Sequence, residues 1–119
     1  MGAKSFMDLV AWKVTYGVTM TLWDELETFP SKEFRLIDQI RRATLSIGLN
    51  IAEGFGRRRP RDKAHFYTIS FGSAEELKHG LQVANGRKYL KEFPRLWGDV
   101  ESISKMLRSL IERVESYDA

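Results

Sequence analysis

Residues 39–59 read QIRRATLSIGLNIAEGFGRRR, and they restrict the fold of this chain more strongly than any other stretch. Ile40, Ala43, Ile47, Ile51 and Phe55 recur at steps of three and four, the spacing of one face of an α-helix. A second run of the same period, Gln39, Arg42, Ser46, Asn50 and Glu53, lies beside it. One helix therefore carries an apolar stripe flanked by a narrow polar one. Gly54 and Gly56 are expected to end it, because glycine best accepts the left-handed conformation of a C-cap. Arg57, Arg58 and Arg59 follow at once.

The remaining sequence supplies three more helices. The first is expected over about 8–28, with Leu9, Trp12, Tyr16, Met20, Trp23 and Leu26 on one stripe and Val10, Val14, Val18 and Leu22 on a second. Phe29-Pro30 breaks it, and Ser31 is the candidate N-cap of the second helix, about 32–55. A short turn over 56–61 makes the second and third helices antiparallel neighbours. The third starts at Pro60 or Arg61 and covers about 61–90, with Gly86 a candidate stop. The fourth, about 94–116, has the cleanest pattern: Leu96, Val100, Ile103, Leu107, Leu110 and Val114 alternate steps of four and three. No strand pattern or internal repeat is present. The expectation is one all-α domain over 1–119, an up-down antiparallel four-helix bundle. A chain of 119 residues can build such a core without disulfide staples.

The first helix is unusually poor in charge. Between Leu9 and Trp23 its only charged residue is Lys13, whereas a surface helix normally keeps a charged face. Thr15, Thr19 and Thr21 supply some polarity, enough for a lone bundle on one reading. The favoured reading is contact between subunits, with Trp12, Tyr16 and Trp23 as candidate contacts.

The polar stripe can be set against the third helix. In an antiparallel pair turning near Arg59, facing residue numbers sum to roughly 119. Ser46 then meets Ser73, Arg42 meets Glu76, Asn50 meets Ile69 or Ser70, and Glu53 meets Phe66. A ligand site between helices is one reading. The favoured reading is a hydrogen-bonded seam of Arg42, Ser46, Asn50, Glu53, Ser73 and Glu76, with Arg42 and Glu76 neutralising each other. An unpaired buried polar group costs about 1–3 kcal/mol, so the seam must be internally satisfied.

Signals of catalysis are missing. His65 and His79 are the only histidines, fourteen residues apart on one helix, and cannot share a metal within a subunit. No zinc-binding H-E-x-x-H, nucleophile elbow or phosphate-binding glycine loop occurs. Glu53, Glu75 and Glu76 form no evident acid/base pair. Neither enzymatic activity nor a cofactor is expected. The lack of cysteine excludes disulfides and thiolate metal sites and is compatible with a cytoplasmic location. No basic-then-apolar leader opens the chain and no run of about 18 apolar residues could span a bilayer, so no membrane partner is expected.

The formal net charge is +3, but clustering matters more than the total for nucleic-acid binding. Arg57, Arg58, Arg59, Arg61 and Lys63 place five positive charges in seven residues, with Asp62 the one negative. Arginine forks match phosphate oxygens. The competing reading is a solvated loop in which some of these arginines stabilise the C-terminal end of the second helix. No aromatic interleaves with the cluster, so base stacking is not expected.

Arg41-Arg42-Ala43, Ser46-Ile47 and Asn50-Ile51-Ala52-Glu53-Gly54 resemble the signature of the four-helix-bundle proteins encoded within 23S rRNA intervening sequences. Phe6, Leu9 and Trp12, Phe29-Pro30 with Glu33, and Gly72-Ser73 with Glu76-Leu77 agree with it, so the resemblance covers about residues 6–90. Ser70 departs from the usual alanine, and Lys88 from a glycine that often precedes the Tyr-Leu pair, here Tyr89-Leu90. The resemblance implies a ring-like homo-oligomer, commonly of five subunits, and association with RNA or the ribosome. Two functions follow as expectations: a non-enzymatic oligomer binding RNA through backbone charge, or a protein-interaction scaffold without nucleic acid.

Overall fold

The computed structural model describes residues 2–117 and contains four α-helices and, among those residues, no strand. They are α1 (Val10–Leu26), α2 (Phe34–Gly56), α3 (Pro60–Gly86) and α4 (Phe93–Ser116). Each helix packs against its neighbours in sequence, and α1 also packs against α4, which closes a four-sided bundle. Its dimensions are 48 × 23 × 20 Å, so the two ends are chemically separate places.

The core follows the predicted stripes. Val18, Leu22 and Leu26 from α1, Ile40, Ile47 and Ile51 from α2, Leu77 and Leu81 from α3, and Leu96, Val100, Ile103 and Leu107 from α4 are fully buried. Each such side chain contributes about 1.5–3 kcal/mol relative to exposure. The small residues Ala43, Ala74, Ala84 and Gly80 bring α2 and α3 close together. A Cβ on Gly80 would stand 3.0 Å from Ile40 Cγ1.

Several ends differ from expectation for local reasons. The first helix does not run unbroken from Asp8. Phe6–Asp8 form a 3₁₀ turn, closed when Ser5 Oγ accepts from Met7 N and Asp8 accepts from Ser5 N. Leu9 is then extended, and α1 starts at Val10. Ser31 does not cap α2: its side chain makes no cap bond, and Ser31–Glu33 form a 3₁₀ turn closed by Glu33 N donating to Pro30 O at 2.9 Å. Nor is a glycine left-handed at the end of α2. Both Gly54 and Gly56 are helical, and the chain leaves through extended Arg57 at φ −77°, ψ 151°.

The left-handed residue is instead Lys88, at φ 64° just beyond α3. Lys88 N donates to Asn85 O and Tyr89 N to Ala84 O, both at 2.9 Å, the paired bonds of a Schellman cap. The position where the sequence departs from glycine is therefore one where glycine is conformationally preferred. A left-handed non-glycine residue costs roughly 1–2 kcal/mol, partly offset by the greater unfolded freedom of glycine. Lys88→Gly is expected to stabilise the fold by about 0.5–1 kcal/mol in urea unfolding. A loss of stability would contradict this account of the cap.

Candidate nucleic-acid interface

The five cations of the basic turn fall into two groups. Arg57 Nη2 lies 3.0 Å from Glu53 Oε2 one helical turn back, and its guanidinium sits over the Phe66 ring at 4.5 Å. Lys63 reaches back from the first turn of α3, and its Nζ donates to Phe55 O at 2.8 Å and Gly54 O at 3.3 Å. It thereby satisfies the Phe55 carbonyl, joins the Arg57 N–H on Gly54 O, and places positive charge at the negative end of that helix. Burial pulls the Lys63 ammonium below its ordinary pKa. Arg57 and Lys63 are thus held by the fold. The sequence grouped them with the free cations because the Glu53 pair and the carbonyl cap depend on how α2 ends.

Arg58, Arg59 and Arg61 are exposed and make no side-chain hydrogen bond or ion pair among the described residues. Arg58 and Arg59 occupy the linker, and Arg61 opens α3 behind Pro60. Three guanidiniums within four residues thus stand at one end of the bundle. Phe66 has Arg57 on its face and His65 edge-on at 5.1 Å, and Phe55 has Lys63 over its ring at 5.5 Å, so the two phenylalanines beside the turn each carry a cation. Such a patch can engage phosphates through its guanidinium forks.

The polar residues between α2 and α3 are divided similarly. Ser46 and Ser73 share a hydrogen bond at 2.7 Å. Asn50 Nδ2 donates to Ser46 O at 2.8 Å and Ser46 Oγ at 3.1 Å, so it serves its own helix and not residues 69 or 70. Ser70, fully buried, donates to Ile47 O at 2.8 Å, which accommodates the hydroxyl that departs from the usual alanine. Glu53 stands with Phe66 at the turn, linked through Arg57. The expected Arg42–Glu76 pair is absent. Arg42 Nε takes Asp38 Oδ2 at 2.9 Å on the same helix, because a partner four residues away is reached with less ordering than one across the cleft.

Among the candidate contacts of α1, Trp12 stacks on Tyr16 at 5.3 Å and meets Phe6 edge-on at 5.2 Å. Tyr16 is 52% exposed. Trp23 is half-buried beneath the Arg41 guanidinium at 5.5 Å, and Arg41 Nε is buried with no acceptor among the described residues. The sequence reading overlooked Leu45 and Leu49 of α2, which are 47% and 65% exposed. With Tyr16 and Met20 they line an apolar groove of about 300 Å³ between α1 and α2. Their spacing of four, off the buried stripe, was the available signal.

Fold and motifs together define a class, a small all-helical bundle protein with a polar second-helix signature and a basic turn. The profile of the 23S rRNA-intervening sequence protein family matches residues 7–109, and the chain belongs to that family. A crystal structure of a protein with unknown function from the S23 ribosomal protein family of Bacteroides thetaiotaomicron superposes with a TM-score of 0.79 at 24% identity. The match covers 86% of this chain and 98% of the other. No curated protein matches. Among the described residues no helix is long and apolar enough to cross a membrane, and no group of three or more acidic, histidine or cysteine side chains could hold a metal ion.

Proposed function

We propose that the protein is a cytoplasmic, non-enzymatic homo-oligomer that binds RNA through the phosphate backbone, with Arg58, Arg59 and Arg61 as the contacts. The observation that carries this reading is the set of three exposed, unpaired arginines at the α2–α3 turn. The family description, which ties these proteins to 23S rRNA, supports RNA as the partner and the ribosome as its setting. Assembly is supported by the charge-poor α1 and by exposed Tyr16, Met20, Leu45 and Leu49. A closed ring, with five subunits the favoured number, repeats the basic turn around one rim and multiplies its contacts.

The test compares wild type with the triple variant Arg58→Ser, Arg59→Ser, Arg61→Ser, titrated with one single-stranded RNA at several salt concentrations. Each phosphate contact contributes about 0.7 to the logarithmic salt slope, so the variant is expected to lose about 2 units per engaged subunit and to bind more weakly at low salt. Arg57→Ser is the contrasting variant, since its guanidinium is committed to Glu53 and Phe66. Equal slopes and affinities for wild type and triple variant would remove RNA from the reading. The reading left standing would then be the protein-interaction scaffold, with its partner docking on the assembled ring.

A further inference from the structure

The bundle carries a second apolar groove, between α1 and α4, on the face next to the α1–α2 groove. Leu9, Val10, Met106 and Leu110 line a space of about 360 Å³, with Lys105 and Arg113 along its rim. Val10 is 62% exposed. The two grooves stand at the same level. At about 1.5 Å of rise per residue, Leu49 and Leu45 lie roughly 10 and 16 Å from the end of α2, and Leu110 and Met106 lie roughly 9 and 15 Å from the end of α4. Both helices end on the side of the bundle that carries the arginine turn. Charge is complementary at the next level. Arg41, one turn before Leu45, packs its guanidinium over Trp23 and enters no ion pair among the described residues. It lies roughly 22 Å from the end of α2. On the α1–α4 face, Asp24 follows Val10 by two heptads and Asp99 precedes Met106 by one, so both share the face of the groove. They stand roughly 21 and 25 Å from the same end of the bundle. Neither forms an ion pair among the described residues.

We infer that the α1–α4 face of one copy of this chain docks in the α1–α2 groove of the next, with α4 parallel to α2. Leu45 meets Met106 of the partner subunit, and Leu49 meets Leu110 of the partner subunit. The terminal nitrogens of Arg41 meet the carboxylates of Asp24 of the partner subunit and Asp99 of the partner subunit. Two different faces are used, so the contact is heterologous. The faces adjoin along α1, so successive copies turn about an axis on the α1 side and close. α1 is then covered on both flanks, which accounts for Lys13 being its only charge between Leu9 and Trp23. This pairing rests on the self-assembly proposed for the α1–α2 groove and adds to it the second surface and the register.

The chain has no cysteine, so single engineered thiols report the contact. Full chains carrying Leu45→Cys or Met106→Cys are prepared separately, mixed so that subunits exchange, and treated with a short bismaleimide. A cross-linked dimer of one chain of each kind is expected on a denaturing gel. Either chain alone is expected to stay uncross-linked, because in a heterologous contact equal residues do not meet. Charge reversal gives the second arm. Arg41→Glu is expected to weaken self-association at least about tenfold in sedimentation equilibrium, and adding Asp24→Arg and Asp99→Arg to the same chain to restore it. Circular dichroism of each variant checks that the helices remain. Self-cross-linking of the Leu45→Cys chain, a mixture without the mixed dimer, or a reversal that has no effect or is not restored would each overturn the pairing. With the wild type still assembled in sedimentation, only this surface and register fall. A monomeric wild type removes the self-assembly and the pairing together.

Discussion

Gly54→Ala is expected to destabilise the protein by about 3 kcal/mol in urea unfolding, although alanine is the better helix former by about 1 kcal/mol. A Cβ at Gly54 would stand 2.6 and 2.7 Å from two ring carbons of Tyr67 and 3.2 Å from a third. Tyr67 is 3% exposed, and the burial that confines it also pushes its phenol pKa up. A close-packed ring cannot rotate clear of the new methyl, so α2 and α3 must separate or the ring must leave its rotamer. Gly56→Ala is the control. Its Cβ would meet nothing within 4 Å and its backbone is helical, so it should stabilise by up to about 1 kcal/mol. Were the two glycines conformational caps, both substitutions would destabilise. Opposite signs therefore distinguish close approach from backbone freedom.

Glu25→Ala is the second large effect, expected to cost about 3 kcal/mol. The carboxylate is buried, 7% exposed, near the end of α1. It accepts from Lys91 N at 2.6 Å and Glu92 N at 3.1 Å, immediately before α4 begins at Phe93. An acidic side chain from another helix thus holds the two amides that precede α4 and sets negative charge near that helix's positive end, where the N-cap residue makes no side-chain bond. Alanine leaves both amides without their acceptor and releases the α3–α4 connection. Glu25→Gln keeps one oxygen and should cost less. Chemical denaturation checks both, and a cost below about 0.5 kcal/mol for alanine, the ordinary range of surface substitutions, would show that water replaces the carboxylate.

These two residues mark where the sequence was legible. The four helices and their buried stripes follow from periodicity, because Ile40, Ile47, Leu77 and Leu107 have no other way to leave water. The Ser46–Ser73 contact follows from antiparallel register once the turn is placed at residues 57–59. The role of Gly54 was hidden, since a glycine chosen for its missing Cβ looks the same in sequence as one chosen for φ; the deciding residue, Tyr67, lies on the next helix. Glu25 was hidden because its partners are backbone amides 66 and 67 residues away. Tyr89 donating to Glu33 at 2.5 Å and the Thr19–Thr44 hydroxyl pair at 2.7 Å are long-range in the same sense. The basic turn was legible as a cluster, but its division was not. Charge can be counted from sequence, whereas the Arg57–Glu53 pair and the Lys63 carbonyl cap need the path of the chain.

The central claim is that the apolar groove between α1 and α2 joins subunits and so repeats the arginine turn in one particle. Sedimentation equilibrium of the wild-type protein at micromolar concentration tests it most directly. The account predicts a single closed species, five chains of 13.8 kDa in the favoured case. A monomer of 13.8 kDa over that range would contradict it.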